Sequence, residues 1–234
     1  MFGNSSKSWK LFSVFGHQIY LSPWFLLLIA LFSFSGIEAG GGAQAFGRVL
    51  IWAPVLMGGI LFHEFGHAFA LQGFGYGPSR IELQGFGGVT INLRRQQTPP
   101  GKSILISVAG PVASALLAVL SYGILLGLGD ALSPASFWGE FLWTMAAVNL
   151  FWAIFNMLPI NPMDGGHIVL HALRWGLKDA RKAVRYSAIS SLVFLGLALA
   201  AALAMGYAGI ALLWLIMLGA MFGMQNWQMY QATK

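Results

Sequence analysis

The chain has no cysteine, and charged side chains make up only 9% of its 234 residues. The first absence excludes disulfides, thiolate metal ligands and thiol nucleophiles. The second excludes an ordinary water-facing surface, because soluble domains carry about 25% charged residues. With 57% hydrophobic residues, the chain is expected to have lipid as its main solvent and to form a single unit over 1–234. Acidic groups are scarcest, 7 against 13 Lys and Arg. The resulting charge of +6 matters less than its distribution along the chain.

Long apolar runs are what the chain does have. A bilayer core of ~30 Å requires roughly 20 apolar residues per helix. Six stretches qualify, about 17–36, 48–73, 103–127, 138–158, 187–205 and 208–229. Basic residues alternate between the connectors. Lys7 and Lys10 precede the first stretch, Arg80, Arg94, Arg95 and Lys102 separate the second from the third, and Arg174 to Arg185 follow the fourth. The other connectors carry Glu38, Asp130 or no charge, with Arg48 marking the start of the second stretch. By the positive-inside rule both termini are expected in the cytoplasm, with six spans in a plasma membrane. The small-residue run Ala43–Ala45 has the look of a signal-cleavage site. It lies far beyond the apolar core before it, so the first span is read as retained. Arg174, Lys178, Arg181, Lys182 and Arg185 are read as one solvated helix at anionic head groups rather than a nucleic-acid surface, and no nucleic acid is expected as a partner.

Between Arg48 and Arg80 one charged residue, Glu64, stands in "LFHEFGHAFAL". His63 and His67 are four apart, so a helix places them one turn apart on one face. This is the H-E-x-x-H arrangement, in which two imidazoles bind zinc and the glutamate acts on the attacking water. A metal also accounts for polar groups at a depth where solvent cannot reach them. Hydrogen-bonded core histidines are the plainer alternative.

A catalytic zinc takes three protein ligands and one open position. His63 lies ~15 residues into a span that starts outside, about 22 Å at the helical rise, and therefore toward the cytoplasmic end. The fourth span runs the same way and ends in "FNMLPINPMDGGH", where two prolines and two glycines break the helix. Irregular backbone at such depth is tolerated only within protein or along a wet cavity. Asp164 in that broken turn is the expected third ligand, with His167 and His171 as rivals or as hydrogen-bonding support.

These two segments, "HEFGH" and "FNMLPINPMDGG", closely resemble the site-2 protease family of intramembrane zinc metalloproteases. The resemblance extends to "GFGG" (Gly85–Gly88), to "AGP" (Ala109–Pro111) and to the spacing of the spans, over roughly residues 15 to 170. It implies one Zn²⁺ held by His63, His67 and Asp164, with Glu64 as catalytic base, and a catalytic core of about 48–170. The last two spans, 187–229, match only in being hydrophobic. Two departures stand out. Ser114 occupies a place where the family often has asparagine, and the chain leaves no room for PDZ or CBS domains, so regulation is expected from a separate protein or from the substrate. The compact form points to a prokaryotic plasma membrane.

Arg80 to Arg94 alternates apolar and polar residues about a glycine turn, which predicts a β-hairpin. The expected architecture is thus an all-α polytopic membrane protein of about six transmembrane helices, with a short membrane-associated hairpin between the second and third. The hairpin would dip into the cytoplasmic leaflet and pair with unwound substrate by strand addition. Gly87 and Gly88, with Asn156, are the candidate substrate-binding or oxyanion positions; Asn149 is read as helix–helix glue. Gly110 and Ala113 are read as packing residues.

The leading expectation is therefore a protease acting on a single-span or membrane-tethered protein in the bilayer, in regulated intramembrane proteolysis. A metal-ion transporter would instead use Glu64 as ligand or proton carrier and thread polar residues through the remaining spans. The fifth and sixth spans read as almost wholly apolar. A catalytically idle scaffold would not need the intact His63–Glu64–His67 set.

Overall fold

A computed structural model of the chain describes residues 8–34, 42–85, 87–94, 96–129, 133 and 136–234. Lys7, Glu38, Arg95 and Asp130, used above for orientation, lie outside the described residues, and so do the side chains of Ala43–Ala45. The helices are α1 (Pro23–Phe34), α2 (Gly42–Gly73), α3 (Pro100–Leu128), α4 (Phe137–Asn156), α5 (Asp164–Leu177), α6 (Ala180–Ala204) and α7 (Gly209–Gln231). The strands are β1 (Trp9–Val14), β2 (His17–Leu21), β3 (Ser79–Gln84) and β4 (Gly87–Asn92). Among the described residues, three helical stretches are long and apolar enough to cross a membrane: Phe46–Gly73, Pro100–Leu128 and Ala180–Ala204.

The chain divides into two compact units, Met1–Gln97 with Ala109–Ala153, and Thr98–Val108 with Ile154–Lys234. In the first, the expected hairpin forms, with Ser79↔Asn92 through Gln84↔Gly87 as partners. It is not alone, however. Among the described residues the sheet has four strands in the order β1-β2-β3-β4. β1 and β2 are joined by Phe15 and Gly16, both at positive φ (51° and 84°), as a two-residue hairpin turn with matching twist requires. β2 then pairs in parallel with β3, from Gln18↔Arg80 to Leu21↔Leu83.

This corrects the start of the 17–36 reading and adds two strands to a chain that is otherwise mostly helical. Residues 17–21 are strand, and α1 begins at Pro23. Its 12 described residues reach about 18 Å, short of a hydrocarbon core. Apolarity averaged over 20 residues conceals the Phe15–Gly16 turn and the strand period.

Buried His17 ties the sheet to the end of α2. Its Nδ1 accepts from the backbone N–H of Ser79 at 3.2 Å, which leaves Nε2 to donate to Gln72 Oε1 at 2.9 Å. Phe25, Leu28, Leu56, Ile60 and Leu83 form the core that seats α1 and α2 on β3. Exposed Leu116, Val119, Leu120 and Leu126 line α3, as a lipid-facing helix should.

In the second unit the expected basic helix is broken. α5 ends at Leu177, Lys178 takes the left-handed conformation (φ 53°), and Asp179 caps α6 by accepting from the backbone N–H of Lys182 at 3.0 Å. Arg174 therefore belongs to one helix and Arg181, Lys182 and Arg185 to the next. The last two helices are also less apolar than expected, because Ser187, Ser191 and Asn226 are fully buried there.

Candidate metal centre

In α2, His63, Glu64 and His67 are all buried, with exposures of 3%, 4% and 8%. The helical period brings the two imidazoles edge to face, with ring centroids 4.8 Å apart. Their Nε2 atoms are 3.1 Å apart. Two nitrogens bound to one tetrahedral zinc at ~2.0–2.1 Å would sit about 3.3 Å apart, so the pair is close to the spacing of ligands that share an ion. His63 Nδ1 meets Ser114 Oγ at 3.0 Å. That bond engages the far side of the ring and turns Nε2 toward His67, as outer hydrogen bonds do for metal-binding histidines.

The room beside the two nitrogens depends on α3. A Cβ on Gly110 would lie 2.2 Å from His67 Nε2 and 2.8 Å from His63 Nε2. Gly66, the glycine of the motif, is similarly tight, its Cβ position falling 2.4 Å from the Ala109 carbonyl oxygen. Paired glycines on α2 and α3 thus let the helices close until the imidazoles face a side-chain-free stretch of α3. The donor set and the open space both fit a divalent ion.

The Glu64 carboxylate is held by the hairpin. Thr90 Oγ1, on β4, lies 2.7 Å from Glu64 Oε2 and 3.1 Å from the Glu64 carbonyl oxygen; its one proton favours the closer, charged acceptor. A Cβ on Gly88 would fall 2.5 Å from Glu64 Cγ and 2.6 Å from Oε1. Gly88 therefore makes the space in which the carboxylate meets the strand. Gly87, at φ 144°, opens the strand beside Trp152.

Asn149 is a packing residue in this structure. Its Nδ2 donates to the Met145 carbonyl at 2.9 Å, and its amide fills the space left by the missing side chain of Gly59.

Asp164 belongs to the second unit, as the first residue of α5 rather than part of the irregular turn. It follows Met163 in extended conformation. Asn156 ends α4. The Asp164 carboxylate is a hard oxygen donor of the kind that completes a two-histidine zinc site. His167 is exposed, and His171 is half-buried with Nδ1 lacking a hydrogen-bond partner. Burial, then Arg174 and His167, lower the His171 pKa to about 4.

Sequence reading did not find Thr90 or assign Ser114 and Gly110 to the site. Thr90 had a signal, being on the polar side of the alternating hairpin. Ser114 was visible only as a departure from the family pattern, and Gly110 only as a small residue in an apolar helix.

Fold and site together define a largely helical chain of membrane-protein character, with an H-E-x-x-H motif whose two imidazoles are spaced as ligands of one ion would be. Comparison with known proteins shows what the chain is similar to. Residues 129–202 match the model for Peptidase family M50, a range that contains the segment around Asp164 but not the histidine pair. Rip3 of Mycobacterium tuberculosis, whose name assigns it provisionally to the zinc metalloproteases, is 30% identical over 196 residues, covering 79% of this chain and 49% of that protein. A zinc metalloprotease of Methanocaldococcus jannaschii is 27% identical over 164 residues, 68% of this chain and 44% of that one. The chain spans about half the length of the curated relatives it matches. The solved site-2 protease from Methanocaldococcus jannaschii has a similar fold, with a TM-score of 0.64, 22% identity and 95% of each chain covered. In these segments and in its fold the chain is similar to the site-2 protease family.

Proposed function

We propose that this chain is an intramembrane zinc protease that hydrolyses a peptide bond of a membrane-spanning or membrane-tethered protein near the cytoplasmic side. His63, His67 and Asp164 hold a single Zn²⁺ in this reading. The observation that carries it is the pair of Nε2 atoms 3.1 Å apart beside a carboxylate held by its own hydrogen bond. A bound zinc supplies Lewis acidity and a nucleophile at neutral pH. Glu64 takes a proton at its carboxylate from the attacking water and returns it to the leaving nitrogen. Thr90 orients that carboxylate, and Gly88 leaves it room.

Peptide carbonyls in a substrate helix are hydrogen-bonded and hidden, so scission needs a locally extended strand. Among the described residues, β4 is the strand with an unpaired edge on the Glu64 side of the sheet, because β3 lies between β2 and β4. Only one edge of the hairpin is therefore open to strand addition. In this reading the hairpin enters the cytoplasmic leaflet of a prokaryotic plasma membrane, and Asn156 steadies the substrate or the oxyanion. A transporter is less favoured, since Ser187, Ser191 and Asn226 of α6 and α7 all bond to Asn161 rather than being spaced along a path.

The test compares wild type with Glu64→Gln on a panel of single-span substrates, with zinc measured in both. The expected result is full zinc content and no cleavage in the variant. Equal cleavage by the two proteins would remove Glu64 as base.

A further inference from the structure

The polar groups buried in the two C-terminal helices have no part in the chemistry above, and lipid-exposed helices have no use for them. Asn161 lies in the turn between α4 and α5 and is 2% exposed; Ser187 and Ser191 on α6 and Asn226 on α7 are 0% exposed. Asn161 Nδ2 donates to Ser187 Oγ at 2.9 Å and to Ser191 Oγ at 3.1 Å. Its backbone N–H donates to Ser191 Oγ at 3.0 Å. Its carbonyl accepts from Asn226 Nδ2 at 2.7 Å. One residue of the turn is thus gripped through side chain, N–H and C=O by two helices.

The grip passes on to α5 through backbone contact. A Cβ on Gly166 would fall 2.5 Å from Asn161 N and from the Ile160 carbonyl carbon; one on Gly165 would fall 2.3 Å from the Met157 and Leu158 carbonyl oxygens. The first turn of α5 is therefore pressed against the backbone that Asn161 anchors. Asp164 is the residue just before those glycines.

Resting on the metal reading above, we propose that Asn161, Ser187, Ser191 and Asn226 are positioning residues that fix the Asp164 carboxylate as a metal ligand. This gives α6 and α7 a function. They are the rigid wall against which the ligand-bearing turn is set, and unsatisfied amides or hydroxyls in that wall would be expensive in lipid. A ligand held in advance binds its ion more tightly than one that must be ordered first.

The test is zinc affinity, measured by chelator competition on full-length protein in detergent, for wild type, Asp164→Ala, Ser191→Ala, Asn226→Leu and Ser190→Ala. Ser190 Oγ donates to the Ser187 carbonyl of its own helix and serves as the control. Asp164→Ala should lose the ion. Ser191→Ala and Asn226→Leu should bind it roughly tenfold or more weakly, as lost support of a ligand does, while Ser190→Ala keeps wild-type affinity. Should Asn226→Leu fail to fold, Ser191→Ala decides alone. Wild-type affinity in a folded Ser191→Ala protein overturns this inference and leaves the metal reading standing. Zinc retained by Asp164→Ala, or absent from wild type, overturns both.

Discussion

Thr90 Oγ1 lies 2.7 Å from Glu64 Oε2, so the strand with the open edge also holds the proposed base. Substrate pairing and base orientation thereby share one strand. A residue on β4 that moves on strand addition would carry the carboxylate with it.

Removing that bond should slow turnover without releasing metal. A hydrogen bond to a charged acceptor is worth roughly 1.5–3 kcal/mol, or about 10–100-fold in rate. Thr90→Val is therefore expected to lower kcat by about that factor, with KM and zinc content unchanged and Thr90→Ser restoring the rate. A Thr90→Val enzyme at full kcat would show that the contact does not serve catalysis.

Gly110→Ala sets two effects against each other. Alanine favours the α3 helix by about 1 kcal/mol over glycine, yet its Cβ would occupy space 2.2 Å from His67 Nε2. The expected protein is as thermally stable as metal-free wild type but holds far less than stoichiometric zinc. Normal zinc content would mean that α3 can retreat from the imidazoles.

Ser114→Ala leaves His63 Nδ1 without its 3.0 Å partner. Loss of such a bond typically weakens metal affinity 10–100-fold. Chelator competition should show that weakening with helical content unchanged. Unaltered affinity would reduce Ser114 to a packing residue.

His171 gives a pH signature separate from the metal. Its pKa in the fold is lowered to about 4, against about 6.5 in an unfolded chain. Between those values the unfolded state binds more protons, so stability rises with pH across that window and is flat above it. Melting in detergent should show wild type losing stability as pH falls from about 6.5 toward 4, with a shallower loss in His171→Gln. Identical profiles would mean that His171 does not couple to folding.

Much of the centre was legible because it is local. His63, Glu64 and His67 lie within five residues, and a helix of fixed period places them without help. The β3–β4 hairpin was legible for the same reason, its alternation and glycine turn being contiguous. The β1–β2 strands were missed although Phe15–Gly16 marks their turn, because hydropathy does not distinguish a strand in an apolar setting from a span. The parallel pairing of β2 with β3 joins residues about sixty apart, and no local pattern encodes that register.

Composition, the helical period and turn chemistry determined that this chain meets lipid, carries a histidine pair on one helix face and breaks its backbone before Asp164. Tertiary structure alone decided that Ser114 engages His63, that Thr90 grips Glu64, and that Gly110 stands clear of both imidazoles. It also decided that Asn161 is clasped by α6 and α7. Each of these is a contact between segments far apart in sequence. Such contacts depend on how closely backbones approach, a distance set by packing rather than by residue order.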